Sequence, residues 1–155
     1  MIKTAQKRFL RGFTLIELLI VIAILGILAA GVLVAVNPGK RQRQAKDANI
    51  KADIGSIATA AQAYYTSPGQ GTYILALVDL VTNQDLKTLP KQPDGVTEYI
   101  YVTSPALCDG TLTAPCTEVA ISAPLLDPLV TTNVWCWRSS TGRAAEVLPA
   151  DCTAP

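Results

Sequence analysis

One stretch limits what this chain can become more than any other. From Leu18 to Val36 it runs nineteen residues, LLIVIAILGILAAGVLVAV, without a charged side chain. As an α-helix rising about 1.5 Å per residue, that stretch is roughly 28 Å long, close to the ~30 Å hydrocarbon core of a bilayer. A helix that is apolar on every side belongs in lipid or deep inside a protein. Cations flank it on both sides: Lys3, Lys7, Arg8 and Arg11 before it, and Lys40, Arg41, Arg43, Lys46 and Lys51 after it. The excess of Lys and Arg therefore gives no orientation by itself. Directly before the uncharged run stands Glu17. A carboxylate in a bilayer-length segment costs free energy, so such a residue is a functional candidate by default.

The rest of the composition removes several function classes. The chain has no histidine, which takes away the commonest general base, the usual hydrolase triads and most catalytic zinc sites. After Ala52 only Lys87, Lys91, Arg138 and Arg143 face ten acids, an excess of six negative charges. That is a poor match for a phosphate backbone and argues against direct nucleic-acid binding. Ser139, Ser140 and Thr141 have no accompanying base, and they read as turn residues rather than nucleophiles. No catalytic constellation, cofactor motif or metal-ligand spacing is visible.

All four cysteines, Cys108, Cys116, Cys136 and Cys152, lie in the last third, with no CxxC pair. An even count beyond a membrane segment reads as two disulfides in an oxidising compartment. Four cysteines allow three connectivities. Placing them outside the cytoplasm orients the span, with the N-terminus in and the C-terminus out. A secretory signal is the first competing reading of the opening segment, but its apolar region runs about 7–15 residues. The run here is longer, the small cluster Ala29-Ala30-Gly31 is a loose cleavage match, and Glu17 is foreign to such a region.

The segment RGFTLIELLIVIAILGILAA resembles the N-terminus of type IV pilins and pseudopilins. Members of that family carry a short basic leader ending in Gly, then Phe, then an apolar helix with Glu as its fifth residue. Gly12, Phe13 and Glu17 occupy those positions. The resemblance is strong from Lys7 to Ala30, and beyond that it is one of architecture. It implies cleavage between Gly12 and Phe13 by a prepilin peptidase, N-methylation of the new amine, and pairing of Glu17 with the Phe13 amine of a neighbouring subunit. A charge that is expensive alone is tolerable beside an ammonium, and at low dielectric the pair fixes register. Implied partners are the peptidase, other pilin subunits, an inner-membrane assembly platform and the lipid bilayer. The implied location is a single-pass inner-membrane protein with an extracytoplasmic C-terminus, and then a filament.

Asn37-Pro38-Gly39 predicts a kink or short break after the apolar run. Lys40 to Ser67 then reads as a second helical stretch, with Ile50, Ile54, Ile57, Ala61 and Tyr64 on one stripe. Its first half, KRQRQAKDAN, is polar all round and predicts a stalk, with cations that could touch lipid phosphates or acids of neighbouring subunits. Asp47 and Lys51 form a favourable i, i+4 pair. Leu77, Leu80 and Val81 fit one short helical turn. TEYIYVTS and TEVAISA read as strands, and VWCWRSSTGRAAEVL as a hairpin turning near Ser140-Thr141-Gly142. Trp135 and Trp137 share a strand face that would cover the helix stripe. By analogy with the C-terminal disulfide loop of many pilins, we favour Cys136–Cys152, together with Cys108–Cys116 closing a loop around Asp109-Gly110.

The expected fold class is α+β: a long N-terminal helix whose second half packs on a small antiparallel sheet. The expected segments are a leader at 1–12, a transmembrane and assembly helix at 13–36, a kink and amphipathic helix at 37–67, and a β-rich domain at 68–155. The expected function is a structural subunit of a type IV pilus or related filament. Two alternatives remain open: a pseudopilin of a type II secretion or competence system, and a membrane-anchored binding module that never polymerises.

Overall fold

A computed structural model describes residues 12–154, and the residues before Gly12, which hold the rest of the expected leader, lie outside the described part. The chain is α+β and divides into two units, residues 1–39 and 40–155. The first is dominated by helix α1, Leu15–Val36, in which no residue is buried within the subunit. It stops at Asn37, whose φ of 46° lies in the left-handed region that Asn tolerates better than most residues. Helix α2, Pro38–Thr66, begins on the next residue. Proline suits that first position, because the N–H it lacks would have had no intrahelical partner. The interruption foreseen around Asn37-Pro38-Gly39 is thus one residue long.

In the second unit, α2 supplies the spine of the core. Ile50, Ile54, Ile57 and Ala61 are at most 1% exposed, while Tyr64, the last member of the stripe, is half-buried. Helix α2 ends in a turn where Gly69 N–H donates to the Tyr64 carbonyl at 2.6 Å. A Cβ at Gly69 would collide with the Thr72 and Tyr64 carbonyl oxygens, so the turn needs glycine for close approach. Helix α3, Leu77–Thr82, adds Leu77 and Leu80 to the same core.

The sheet is an antiparallel meander in the order β1-β2-β3-β4: Ile100–Ser104, Glu118–Pro124, Val134–Arg138 and Arg143–Val147. The hairpin between β3 and β4 turns through Ser139–Gly142, with Gly142 at φ +63°. Pleating assigns the faces. Val119, Ile121 and Ala123 of β2, with Trp137 of β3 paired to Ile121, join the α2 isoleucines in the main core, with Trp135 packed against it. The opposite face carries Ala120, Val134 and Cys136, which cluster with Cys152 from the C-terminal tail. Strand β2 is buried on both faces for this reason, and the sheet is more than a one-sided cover for α2.

Disulfides join Cys108 to Cys116 and Cys136 to Cys152. The second holds the tail against the far face of the sheet. On chain-entropy grounds each contributes on the order of 3 kcal/mol, a large share for so small a core. Tyr99, buried beside the spine, donates its hydroxyl to Asp53 at 2.6 Å. Burial foremost, and then this bond, raise its phenol above the usual tyrosine range.

The polar start of α2 differs from the expected stalk. Asp47 is only 5% exposed, and its carboxylate reaches the loop after β2. Its Oδ1 accepts from Leu126 N–H at 2.7 Å and its Oδ2 from Asp127 N–H at 2.8 Å. Gln44 Nε2 donates to Asp127 at 3.1 Å. Lys51, assigned to Asp47 by the i, i+4 rule, lies with Nζ 4.4 Å from the centre of the Trp135 ring. The domain therefore begins a full turn or more before the apolar stripe does, because a buried carboxylate must find donors and the nearest ones belong to a distant loop.

Candidate functional site

The residues expected to carry processing and assembly, Gly12, Phe13 and Glu17, gather at the start of α1. Thr14 is the N-cap, with extended backbone angles, and its hydroxyl accepts from Glu17 N–H at 3.3 Å. Glu17 Oε2 in turn accepts from Thr14 N–H at 2.9 Å and from the Thr14 hydroxyl at 2.8 Å. This is a reciprocal capping box, and it satisfies two backbone donors that a helix start otherwise leaves open. The carboxylate also sits at the positive end of the helix dipole. Within one subunit, then, Glu17 is not bare: its own Thr14 solvates it at the end of the apolar segment.

Just before this box lie Gly12 and Phe13, both exposed, Phe13 at 79%. The junction between them is accessible, and a Cβ on Gly12 would meet nothing within 4 Å. The structure thus brings Phe13, Thr14 and Glu17 together at one helix end. The cysteines belong to the other unit and serve its fold. Beyond the box, α1 runs on from Leu18 to Val36 with apolar side chains exposed all the way round, and the 22-residue helix is long and apolar enough to cross a membrane. Gly26 and Gly31 fall within it, with open space where side chains would be.

Sequence reasoning missed two residues here. Thr14 is one, although Thr-x-x-Glu ahead of an apolar run is the signature of a capping box. Asp47 is the other. It lies three residues before Ile50, so the spacing of 47, 50, 54 and 57 already places it on the buried stripe.

The second unit offers no comparable chemistry. An open cleft of about 550 Å³ is lined by Gln44, Asp47, Lys51, Asp127, Trp135 and Glu146. Two of its acids hold backbone, Glu146 accepting from Leu129 N–H at 2.6 Å and from Val130 N–H at 3.3 Å, as Asp47 does for Leu126 and Asp127, and the third, Asp127, accepts from Gln44. Among the described residues no three His, Cys, Asp or Glu side chains are grouped so as to hold a metal ion.

A capped, lipid-compatible helix with a carboxylate in its first turn, followed by a small disulfide-bonded α+β domain, is the architecture expected of a pilin-type subunit. The comparisons agree. Residues 8–33 match the prokaryotic N-terminal methylation motif. The chain is 42% identical over 106 residues to the type II secretion system core protein G of Pseudomonas aeruginosa, an alignment covering 58% of this chain and 72% of that relative. No solved structure gives a significant match. The chain belongs to the type IV pilin and pseudopilin family, whose members are structural filament subunits and not enzymes.

Proposed function

We propose that this chain is a pseudopilin, a subunit of the periplasmic filament of a type II secretion system. The observation that carries this reading is the extent of the likeness to core protein G. The methylation motif occupies only residues 8–33, whereas the alignment covers 58% of the chain, so the likeness runs well into the domain. In this reading the prepilin peptidase cuts between Gly12 and Phe13, and the new amine is methylated. The subunit waits in the inner membrane on α1 with its disulfide-bonded domain outside the cytoplasm. An assembly platform then moves it into a filament whose core is built from α1 helices.

Glu17 has two successive partners in this scheme. In the stored subunit it accepts from Thr14. In the filament it faces the Phe13 ammonium of a neighbour, an ion pair with charge on both partners, which at low dielectric outweighs the carboxylate's hydrogen bonds to the neutral donors of Thr14. The exposed, all-round apolar surface of α1 suits both lipid and a bundle of identical helices.

The test combines processing with phenotype. Mature protein is expected to begin at methylated Phe13 by mass spectrometry. A Glu17→Gln strain is expected to insert the subunit and keep both disulfides, but to lose filaments and secretion of exported enzymes. Loss of surface pili with secretion intact would instead identify a type IV pilus subunit. A mature N-terminus near Gly31 would overturn the family mechanism. Normal filaments from Glu17→Gln would overturn the charge pair while leaving the subunit assignment in place.

A further inference from the structure

Neither the core of the domain nor the assembly scheme uses the positive charge at the start of α2. Arg41, Arg43 and Lys46 are exposed. Between Glu17 and Asp53 the only acid is Asp47. The structure shows it buried, with its two oxygens engaged by Leu126 N–H and Asp127 N–H. The one acid of this stretch is thus turned to the loop after β2. Sequence alone reads this segment as polar all round; in the structure Arg41 and Arg43 have no acid of α2 beside them, while Lys46 lines a pocket together with Asp94.

Covalent geometry fixes where these cations can be. Val36 is the last residue of the bilayer-length helix, and α2 starts at Pro38. With a rise of about 1.5 Å per residue, Arg41 lies on the order of 8 Å from Val36 along the chain, and Lys46 on the order of 15 Å. The polar layer on each side of a bilayer is about 5–8 Å deep, and Lys and Arg arms extend several Å further toward it. These bounds come from chain length and hold for any angle between the two helices. When α1 spans the membrane, Arg41 and Arg43 stand within arm's reach of the headgroups, and Lys46, at most about 15 Å out, extends back toward their outer edge.

We infer that Arg41, Arg43 and Lys46 bind anionic phospholipid headgroups while the subunit is held in the bilayer. The inference rests on the membrane-anchored reading above. Guanidinium groups meet phosphate oxygens in a two-pronged fashion and lysine adds a point charge. Each cation near an anionic surface is worth about fivefold in association. Withdrawal of a subunit into a filament then has to release these headgroups, so lipid charge resists extraction.

Spin-label measurements on the reconstituted full chain test this. The protein is placed in phosphatidylcholine vesicles holding a trace of spin-labelled phosphatidylglycerol or spin-labelled phosphatidylcholine, and the motionally restricted fraction of each label is read. The comparison is between wild type and the triple variant R41Q/R43Q/K46Q. Gln keeps helix propensity, and both disulfides are verified by mass. The cations before Gly12 contribute equally to both proteins, so the difference isolates α2. Selectivity for phosphatidylglycerol is expected to fall at least threefold in the variant at low salt, and the difference to shrink in ~0.5 M NaCl. Equal selectivity in wild type and variant overturns the inference. Equal selectivity with reduced crosslinking between copies assigns the cations to acids of neighbouring subunits instead. A wild-type chain that fails to float with neutral vesicles overturns the anchored reading itself.

Discussion

Helices α1 and α2 are separated by one residue and built on opposite plans. Helix α1 is apolar on all sides and buries nothing within its own subunit. Helix α2 is largely polar, yet it buries Asp47, Ile50, Ile54, Ile57, Ala58, Ala60 and Ala61. Hydrophobicity therefore does not tell which helix holds the fold. What decides is whether apolar groups are confined to one stripe. A stripe specifies a single packing partner, whereas an all-round apolar surface accepts lipid or other helices indifferently.

The comparison predicts where damage registers. Replacing Ile54, fully buried in the spine, by Ala should destabilise the domain by roughly 2–5 kcal/mol, the range for large-to-small changes in a core. Ile24→Ala in α1, half-exposed, should leave domain stability unchanged. Denaturant unfolding of the disulfide-intact protein, followed by tryptophan fluorescence, reads both. A drop with Ile24→Ala would erase the distinction between the helices.

A smaller effect is expected at the polar end of α2. Asp47→Ala removes the acceptor for two backbone N–H groups and should cost about 1–3 kcal/mol. Faster amide exchange at Leu126 and Asp127 should accompany it. Asp47→Ala behaving like a surface substitution would return the first half of α2 to the status of a stalk.

The smallest effect sharpens the boundary of the domain beside Ile50 and Lys46, where Asp94 lies. The Thr97 hydroxyl, then Val96 N–H and Thr97 N–H, donate to its carboxylate and pull its pKa down to about 2. A depressed carboxylate pKa stabilises the fold above the ordinary value near 3.8 and loses that contribution as pH falls toward 2. A carbon-detected NMR titration should place the midpoint of Asp94 near 2. Thr97→Ala should move it up toward the ordinary value. An unmoved midpoint would mean that the hydroxyl is not the main cause.

Much of this was readable in advance, and the failures share one cause. The α2 stripe, the four strands and the turn at Ser140-Thr141-Gly142 follow from period and turn chemistry, which act over a few residues. Asp47 was misread because its partners Leu126 and Asp127 lie 79 and 80 residues away, and the local rule offered Lys51 in their place. The double burial of β2 was missed because the tail that covers its second face arrives only through Cys152. Thr14 was local and still overlooked: the apolar run behind it drew the reading toward lipid and away from capping.

The meander has a kinetic consequence. Every strand pairs with the next one in sequence, so the sheet grows by closing successive short loops, and none of its pairings awaits a distant segment. Low sequence separation between partners favours fast folding. A chain delivered N-terminus first can add each hairpin as it emerges. Cys152, almost the last residue described, pairs with Cys136 of β3 and makes the closing covalent link, which can form only after all four strands have emerged. A chain cut short before Cys152 would therefore hold its strands but keep an unpaired thiol at Cys136, a chemical difference from the finished fold.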